Sequence, residues 1–253
     1  MDDSSRLSAL IRMSRVLGEP ARGYVILAEG NTSARDAGDC FWVKASGYCL
    51  DGIDETGFVR VGIGPLYRDL GLDLDDLGVA QALQTAKVDA SAPRPSVETF
   101  LHAIAIREGG AEYVGHTHPV AVNRVLCSRL AADAVQGRLF PDEIVGCGPR
   151  SLCLPYCDPG LTLAHSFRRA LLQFMDSEGQ SPKVVLVQNH GLIVLGRRPE
   201  EVLATTAMTV KAFEVLWGTY ALGGPHFLSA QQVARIQGRP DEHYRRQLIN
   251  KQD

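Results

Sequence analysis

Apolar residues three and four apart recur in several stretches of the chain, and short apolar runs stand between those stretches, so helical and strand periods alternate. Leu7, Leu10, Ile11, Ser14 and Leu17 fall on one face over residues 5–17, which predicts an amphipathic first helix stopped by Gly18. After a glycine-broken segment, residues 41–44 and 58–61 predict short strands, separated by turn residues that include Asp51, Gly52 and Gly57. Residues 70–86 are leucine-rich and predict helix after Asp76, and residues 90–95, with two prolines, predict a connecting loop. Beyond it the pattern predicts a helix over 97–107, a strand over 113–117 and a helix over 119–127, with Pro119 in its first turn. Strand-like segments at 144–145 and 152–154 precede a helix over 161–175, and strands over 183–188 and 192–195 flank Asn189-His190-Gly191. A helical pattern over 200–220 follows Pro199, and the tail beyond Gly223 predicts a loop and a short helix over 229–236. No repeat or linker interrupts this interleaving, so the expectation is one α/β domain over 1–222, with 223–253 as an extension packed on it or on a neighbouring subunit.

Composition narrows the class. With 45% hydrophobic and 22% charged residues in 253, the chain has the make-up of a globular domain able to bury a core. A net charge of −3 carries no basic footprint for nucleic acid, and nothing suggests an anionic membrane surface as partner. The longest apolar runs, such as 184–187 and 192–195, stop far short of the ~20 residues of a membrane span. The acidic start Met1-Asp2-Asp3 lacks the basic and apolar blocks of an export signal, so the expectation is a cytoplasmic protein whose six cysteines are reduced. Cys147, Cys153 and Cys157 cluster without the C-x-x-C spacing of structural zinc sites.

The sharpest chemical signal is Gly115-His116-Thr117-His118-Pro119 at the end of a strand pattern, because residues two apart on a strand point to the same face and can reach one ion. A lone histidine is more often a hydrogen-bonded core residue. A third imidazole at His190, also at a strand end, would complete the three-ligand set with an open position that catalytic zinc requires. Glu98 stands at the start of a predicted helix, where a carboxylate also complements the helix dipole and Ser96 is a candidate N-cap. His102, one turn later, offers an alternative metal pair with Glu98. Residues 28–33 and 44–47 are small, hydroxyl-bearing loops able to turn backbone N–H groups toward an anion, and equally able to be plain turns.

Taken in order, Gly30-Asn31-x-Ser33, Ser46-Gly47 after a strand, Pro95-Ser96-x-Glu98 opening a helix, His116-x-His118-Pro119 and Asn189-His190-Gly191 resemble the class II aldolase/adducin family over residues 7–220. Lys44-Ala-Ser-Gly47, Arg94-Pro-Ser-Val-Glu-Thr99, Pro155-Tyr156 with Pro159-Gly160, and residues 239–244 are most similar to the aldolase portion of rhamnulose-phosphate aldolase/alcohol dehydrogenase fusions. The resemblance implies a three-layer fold with a central, mainly antiparallel sheet flanked by helices. It implies His116, His118 and His190 as zinc ligands, Glu98 as acid/base, and Gly30, Asn31, Ser46, Gly47 and Ser96 as the anion-binding loops. Tyr156 matches a tyrosine that donates a proton in a neighbouring subunit's site in the fuculose-phosphate aldolase branch, which implies a homotetramer with inter-subunit sites; local packing at a strand end is the other reading.

The implied reaction is retro-aldol cleavage, dependent on zinc or another divalent transition metal, of a ketose 1-phosphate or related hydroxy-ketone, a small-molecule substrate, through a metal-bound enediolate, with burial and competition for the metal together expected to raise the Glu98 carboxyl toward neutrality. Decarboxylation of a β-keto or hydroxylated acid and sugar-phosphate epimerisation use the same platform, whereas adducin-like scaffolds lose the ligands that this chain keeps. One departure stands out: Val97 replaces the second of two serines that precede the glutamate in the fuculose-phosphate branch.

Overall fold

The computed structural model describes residues 3–241. Strands β1 (Asn31–Arg35), β2 (Cys40–Lys44), β3 (Phe58–Gly62), β4 (Tyr113–Thr117), β5 (Leu152–Leu154), β6 (Val184–Val187) and β7 (Gly191–Gly196) form one sheet in the order β3-β2-β1-β4-β7-β6-β5. All neighbours are antiparallel except β5 and β6. The helices are α1 (Asp3–Gly18), α2 (Ile63–Asp69), α3 (Asp76–Ala86), α4 (Thr99–Arg107), α5 (Val120–Leu126), α6 (Ala131–Ala134), α7 (Pro141–Cys147), α8 (Leu161–Glu178), α9 (Pro199–Tyr220) and α10 (Ala230–Gln237).

Strand alternation divides the interior into two apolar layers. Val185, Val187 and Ile193 pack with Phe100, Leu101 and Ile104 of α4 and Phe167 and Leu171 of α8, on the face that α2 and α3 also cover. Val184, Leu186, Leu192 and Val194 pack the opposite way, against Leu10, Met13 and Leu17 of α1, Val122 and Val125 of α5, and Val202, Phe213 and Leu216 of α9. Helices thus cover both faces, which is why β6 and β7 read as unbroken apolar runs. No helix of the described residues is long and apolar enough to cross a membrane.

Three sequence expectations are corrected. Residues 144–145 are not a strand: they lie in α7, which Pro141 starts and Asp142 and Glu143 in the first turn stabilise against the helix dipole. Two adjacent apolar residues carry no period that separates the two structures. Strand β1 was not expected, because Asn31-Thr32-Ser33-Ala34-Arg35 is mostly polar, yet its pairing with both β2 and β4 buries its first four positions. The helix expected from 97 begins at Thr99, with Glu98 as N-cap.

In the tail, Ser229 and Gln232 form a reciprocal capping box that starts α10. The Leu228 N–H donates to the Arg138 carbonyl at 2.8 Å, tying this segment to the chain just before α7. Residues 242–253 of the expected extension, and with them 242–244 of the motif at 239–244, lie outside the described residues.

Candidate metal centre

Local structure brings the three histidines together. His116 is on β4, which is buried at every position, and His118 follows directly, held by donation from its N–H to the Tyr24 carbonyl at 2.8 Å. His190 occupies the turn between β6 and β7, where Asn189 adopts φ 54°. This turn is clasped from α5: Asn123 Nδ2 donates to the His190 carbonyl at 3.0 Å, and the Asn189 N–H donates to the Leu126 carbonyl at 3.3 Å. Gly191 is required by close approach, since a Cβ there would stand 2.6 Å from the Thr117 carbonyl oxygen and 2.7 Å from His118 Cδ2.

The ring nitrogens converge. His116 Nδ1–H donates to the Leu192 carbonyl at 3.0 Å, which makes Nε2 the bare, ligand-ready atom of the neutral ring. That Nε2 stands 3.0 Å from His118 Nε2 and 3.3 Å from His190 Nε2, and the three candidate ligand nitrogens all lie within 4.8 Å of one another. Nitrogens bound at ~2.0–2.1 Å to a tetrahedral zinc are ~3.3–3.4 Å apart, so the donor set fits a divalent transition metal in chemistry and in spacing. Burial, with the neighbouring imidazoles, pushes His118 down to about 3 and His190 down to about 4, which keeps both neutral at physiological pH, as a metal ligand must be.

Glu98 faces the same point. Its Oε2 lies 3.2 Å from His116 Nε2 and its Oε1 lies 3.2 Å from His190 Nε2. Oε2 accepts from Asn31 Nδ2 at 2.7 Å, whereas Oε1 is buried without a hydrogen-bond partner. Burial alone would raise this carboxyl, as expected from sequence, but the facing His116 and His190 imidazoles and the Asn31 amide outweigh it and hold the group well below the usual carboxylate range. For His116, burial is likewise outweighed by Glu98, and its pKa is raised. Glu98 is thus a carboxylate aimed at the point where the three imidazoles converge, and its side chain makes no capping bond to α4.

The small loops also meet here. Asn31 pairs with His116 across β1 and β4, and Ser96 Oγ accepts from Asn31 Nδ2 at 3.2 Å and from the Glu98 N–H at 3.3 Å. The Ser46 N–H donates to the Arg94 carbonyl at 2.8 Å and the Ser96 N–H to the Lys44 carbonyl at 3.2 Å, placing Ser46 and Gly47, both exposed, beside Ser96. Gly30 lies against the His116 carbonyl. Tyr156 is different: it is 54% exposed, its hydroxyl donates to Asp158 at 2.9 Å, and no recorded bond or ring contact joins it to the imidazoles within the chain.

Some side-chain roles at the site were not legible from sequence. Lys44 is buried, and its Nζ donates to the carbonyls of Ala28 (3.2 Å) and Tyr48 (2.5 Å), stapling the two loops together. Burial lowers its pKa. Asn123 gave no signal beyond its place after the His-x-His motif. His102, considered as a metal partner of Glu98, is instead fully buried and bonded to Ser33 and Asn31.

Residues 8–217 match the family model described as Class II Aldolase and Adducin N-terminal domain. The chain is 27% identical over 194 residues to the uncharacterized oxidoreductase YuxG of Bacillus subtilis (strain 168), covering 73% of this chain but only 26% of that relative. It is similar to the N-terminal class II aldolase domain of a conserved protein from Thermoplasma acidophilum, with 25% identity, a TM-score of 0.67, and 85% and 95% of the two chains covered. An L-fuculose 1-phosphate aldolase (18% identity, TM-score 0.69, 94% and 96% covered) shares the fold. So does YgbL of Escherichia coli, described as a putative aldolase/epimerase/decarboxylase (17% identity, TM-score 0.68, 93% and 99% covered).

Proposed function

Because the chain belongs to the family of class II aldolase and adducin N-terminal domains, we propose that it is a zinc-dependent lyase that cleaves a ketose 1-phosphate or a related hydroxy-ketone by retro-aldol chemistry. The observation that carries this reading is the convergence of His116, His118 and His190 with the Glu98 carboxylate on one point. Those imidazoles would hold the metal, which when bound supplies Lewis-acid polarisation of the substrate's carbonyl.

The chain's own groups handle the protons. In the cleavage direction the C4 hydroxyl gives up a proton, the C3–C4 bond breaks with its electron pair passing to C3, and C3 takes up a proton, so the overall proton count balances. Glu98 is the group that moves the proton at C3; its Oε1 carries no competing hydrogen bond. Ser96 and Ser46 through their hydroxyls and Gly47 through its N–H receive the substrate's anionic end, while Asn31 and Gly30 shape the approach to Glu98. Tyr156, exposed on a loop stiffened by Pro155 and Pro159, serves the C4 oxygen in a neighbouring subunit of a cytoplasmic homotetramer.

Decarboxylation is the second reading. It is favoured by one observation: Val97, 40% exposed, stands beside Ser96 and leaves one fewer hydroxyl for a phosphate. Zinc-loaded protein screened against ketose 1-phosphates and β-keto acids is expected to release dihydroxyacetone phosphate. Release of CO₂ without it would transfer the assignment to a decarboxylase, and absence of both products would refute the lyase reading. In the same assay Glu98→Gln should lower kcat by ~10²-fold or more with zinc content unchanged.

A further inference from the structure

Beyond Glu98 a chain of buried polar groups continues into the interior. Asn31 and Ser33 lie two apart on β1 and so share a face, while His102 stands one helical turn beyond Glu98 on α4. Asn31 Nδ2 meets Glu98 Oε2 at 2.7 Å, and since a carboxylate only accepts, the amide must present its NH₂ to Glu98 and its oxygen to His102. His102 Nε2 therefore carries the hydrogen, donated to Asn31 Oδ1. Its Nδ1 is bare and accepts the Ser33 hydroxyl at 2.6 Å. Ser33 and His102 have no exposed surface, so no water competes for these groups. Burial, aided by His116, pushes His102 down to about 3, which keeps the ring neutral.

The other histidine tautomer would set a bare Nε2 against Oδ1, two acceptors in a dry interior. Turning the amide to relieve that would face its oxygen to the Glu98 carboxylate, again two acceptors. A single arrangement satisfies the Asn31 amide, both His102 nitrogens and the Ser33 hydroxyl together.

We infer that His102, backed by Ser33, is a positioning residue that locks the Asn31 amide, so that Asn31 restrains Glu98 Oε2 and leaves Oε1 as the proton-handling atom beside His190. This rests on the reading of Glu98 as the base. It differs from a packing role for His102, which would require only the ring's volume.

The test needs no aldehyde substrate. Zinc-loaded protein in D₂O is given dihydroxyacetone phosphate, and exchange of its α-hydrogens is followed by NMR. Protein labelled with ¹⁵N-histidine reports the His102 tautomer with and without zinc. The expected tautomer is protonated at Nε2 and bare at Nδ1. His102→Phe should bind a full complement of zinc yet exchange ~10–100-fold more slowly. That loss should fall on kcat with KM little changed, and His102→Gln, whose amide N–H can reach Oδ1, should restore most of the rate. Ser33→Ala should give a smaller loss of the same kind and decides the matter if His102→Phe does not fold. A His102 protonated at Nδ1, a His102→Phe rate per bound zinc equal to wild type, or a Gln variant no better than Phe would each overturn the lock. No exchange by the wild type would refute the proposed function, while the tautomer would still decide the arrangement at His102.

Discussion

Gly30→Ala tests whether the closeness of β1 to β4 holds the three-histidine cluster in its geometry. Gly30 has φ 66°, and a Cβ there would stand 2.6 Å from the His116 carbonyl oxygen and 2.9 Å from Val25 Cγ1. Val25 can change rotamer. The carbonyl cannot yield, because β4 is paired with β1 on one side and β7 on the other. A left-handed conformation costs an alanine ~1–2 kcal/mol, and forcing an extra carbon into a packed position costs a further ~1–3 kcal/mol. The sum, ~2–5 kcal/mol, corresponds to a Tm lowered by ~4–20 °C for a chain of this size. Gly47→Ala is the control. Gly47 has φ 85° but nothing within 4 Å of an added Cβ, so it should lose only the conformational part, ~1–2 kcal/mol. Thermal unfolding in a chelator compares the two, and competition with a chromophoric chelator measures zinc affinity. Gly30→Ala should bind zinc ~10-fold or more weakly because His116 shifts with its peptide, and Gly47→Ala should bind it as wild type does. Equal stability losses together with wild-type zinc affinity in Gly30→Ala would refute the argument.

Other outcomes follow from the same geometry. Zinc at ~100-fold above its Kd should stabilise the protein by ~2.7 kcal/mol, and this rise in Tm should be mostly lost in His118→Ala; an undiminished rise in a His116/His118/His190 triple alanine variant would dismiss the metal centre. His102, His118 and His190 are held below the ordinary 6.5, so the unfolded chain takes up protons that the folded chain does not. The metal-free protein should therefore lose stability as pH falls from ~6.5 toward 4. His116, raised, acts oppositely, contributing stability below 6.5 that is lost as pH rises, but it is one group against three. A Tm that stays level or climbs on acidification would contradict this. Mixing inactive Glu98→Gln and inactive Tyr156→Phe subunits should restore partial activity if Tyr156 completes a neighbour's site, and no rescue in subunits shown to exchange would leave Tyr156 as a local side chain.

Much of this protein was legible in its sequence because the information was local. The periods of α1, α4, α8 and α9 and the unbroken apolar runs of β6 and β7 report burial directly, since each element places its own side chains against the core. The His116-x-His118 spacing likewise sets both rings on one side of a strand without reference to anything else. Tertiary structure decided the rest. β1 is buried by its neighbours and not by its own composition, and α7 needed Pro141 at its start, its acidic first turn and its packing partners to prevail over a two-residue apolar signal. Without a metal the Glu98 carboxyl falls because His116, on β4, and His190, in the turn between β6 and β7, face it from distant parts of the chain. His102 changes from a candidate ligand to a partner of Asn31 and Ser33, residues 71 and 69 positions away. A period along the chain says which face is buried; which groups meet on that face is settled only when distant strands are brought into register, and the chemistry of the site depends on those meetings.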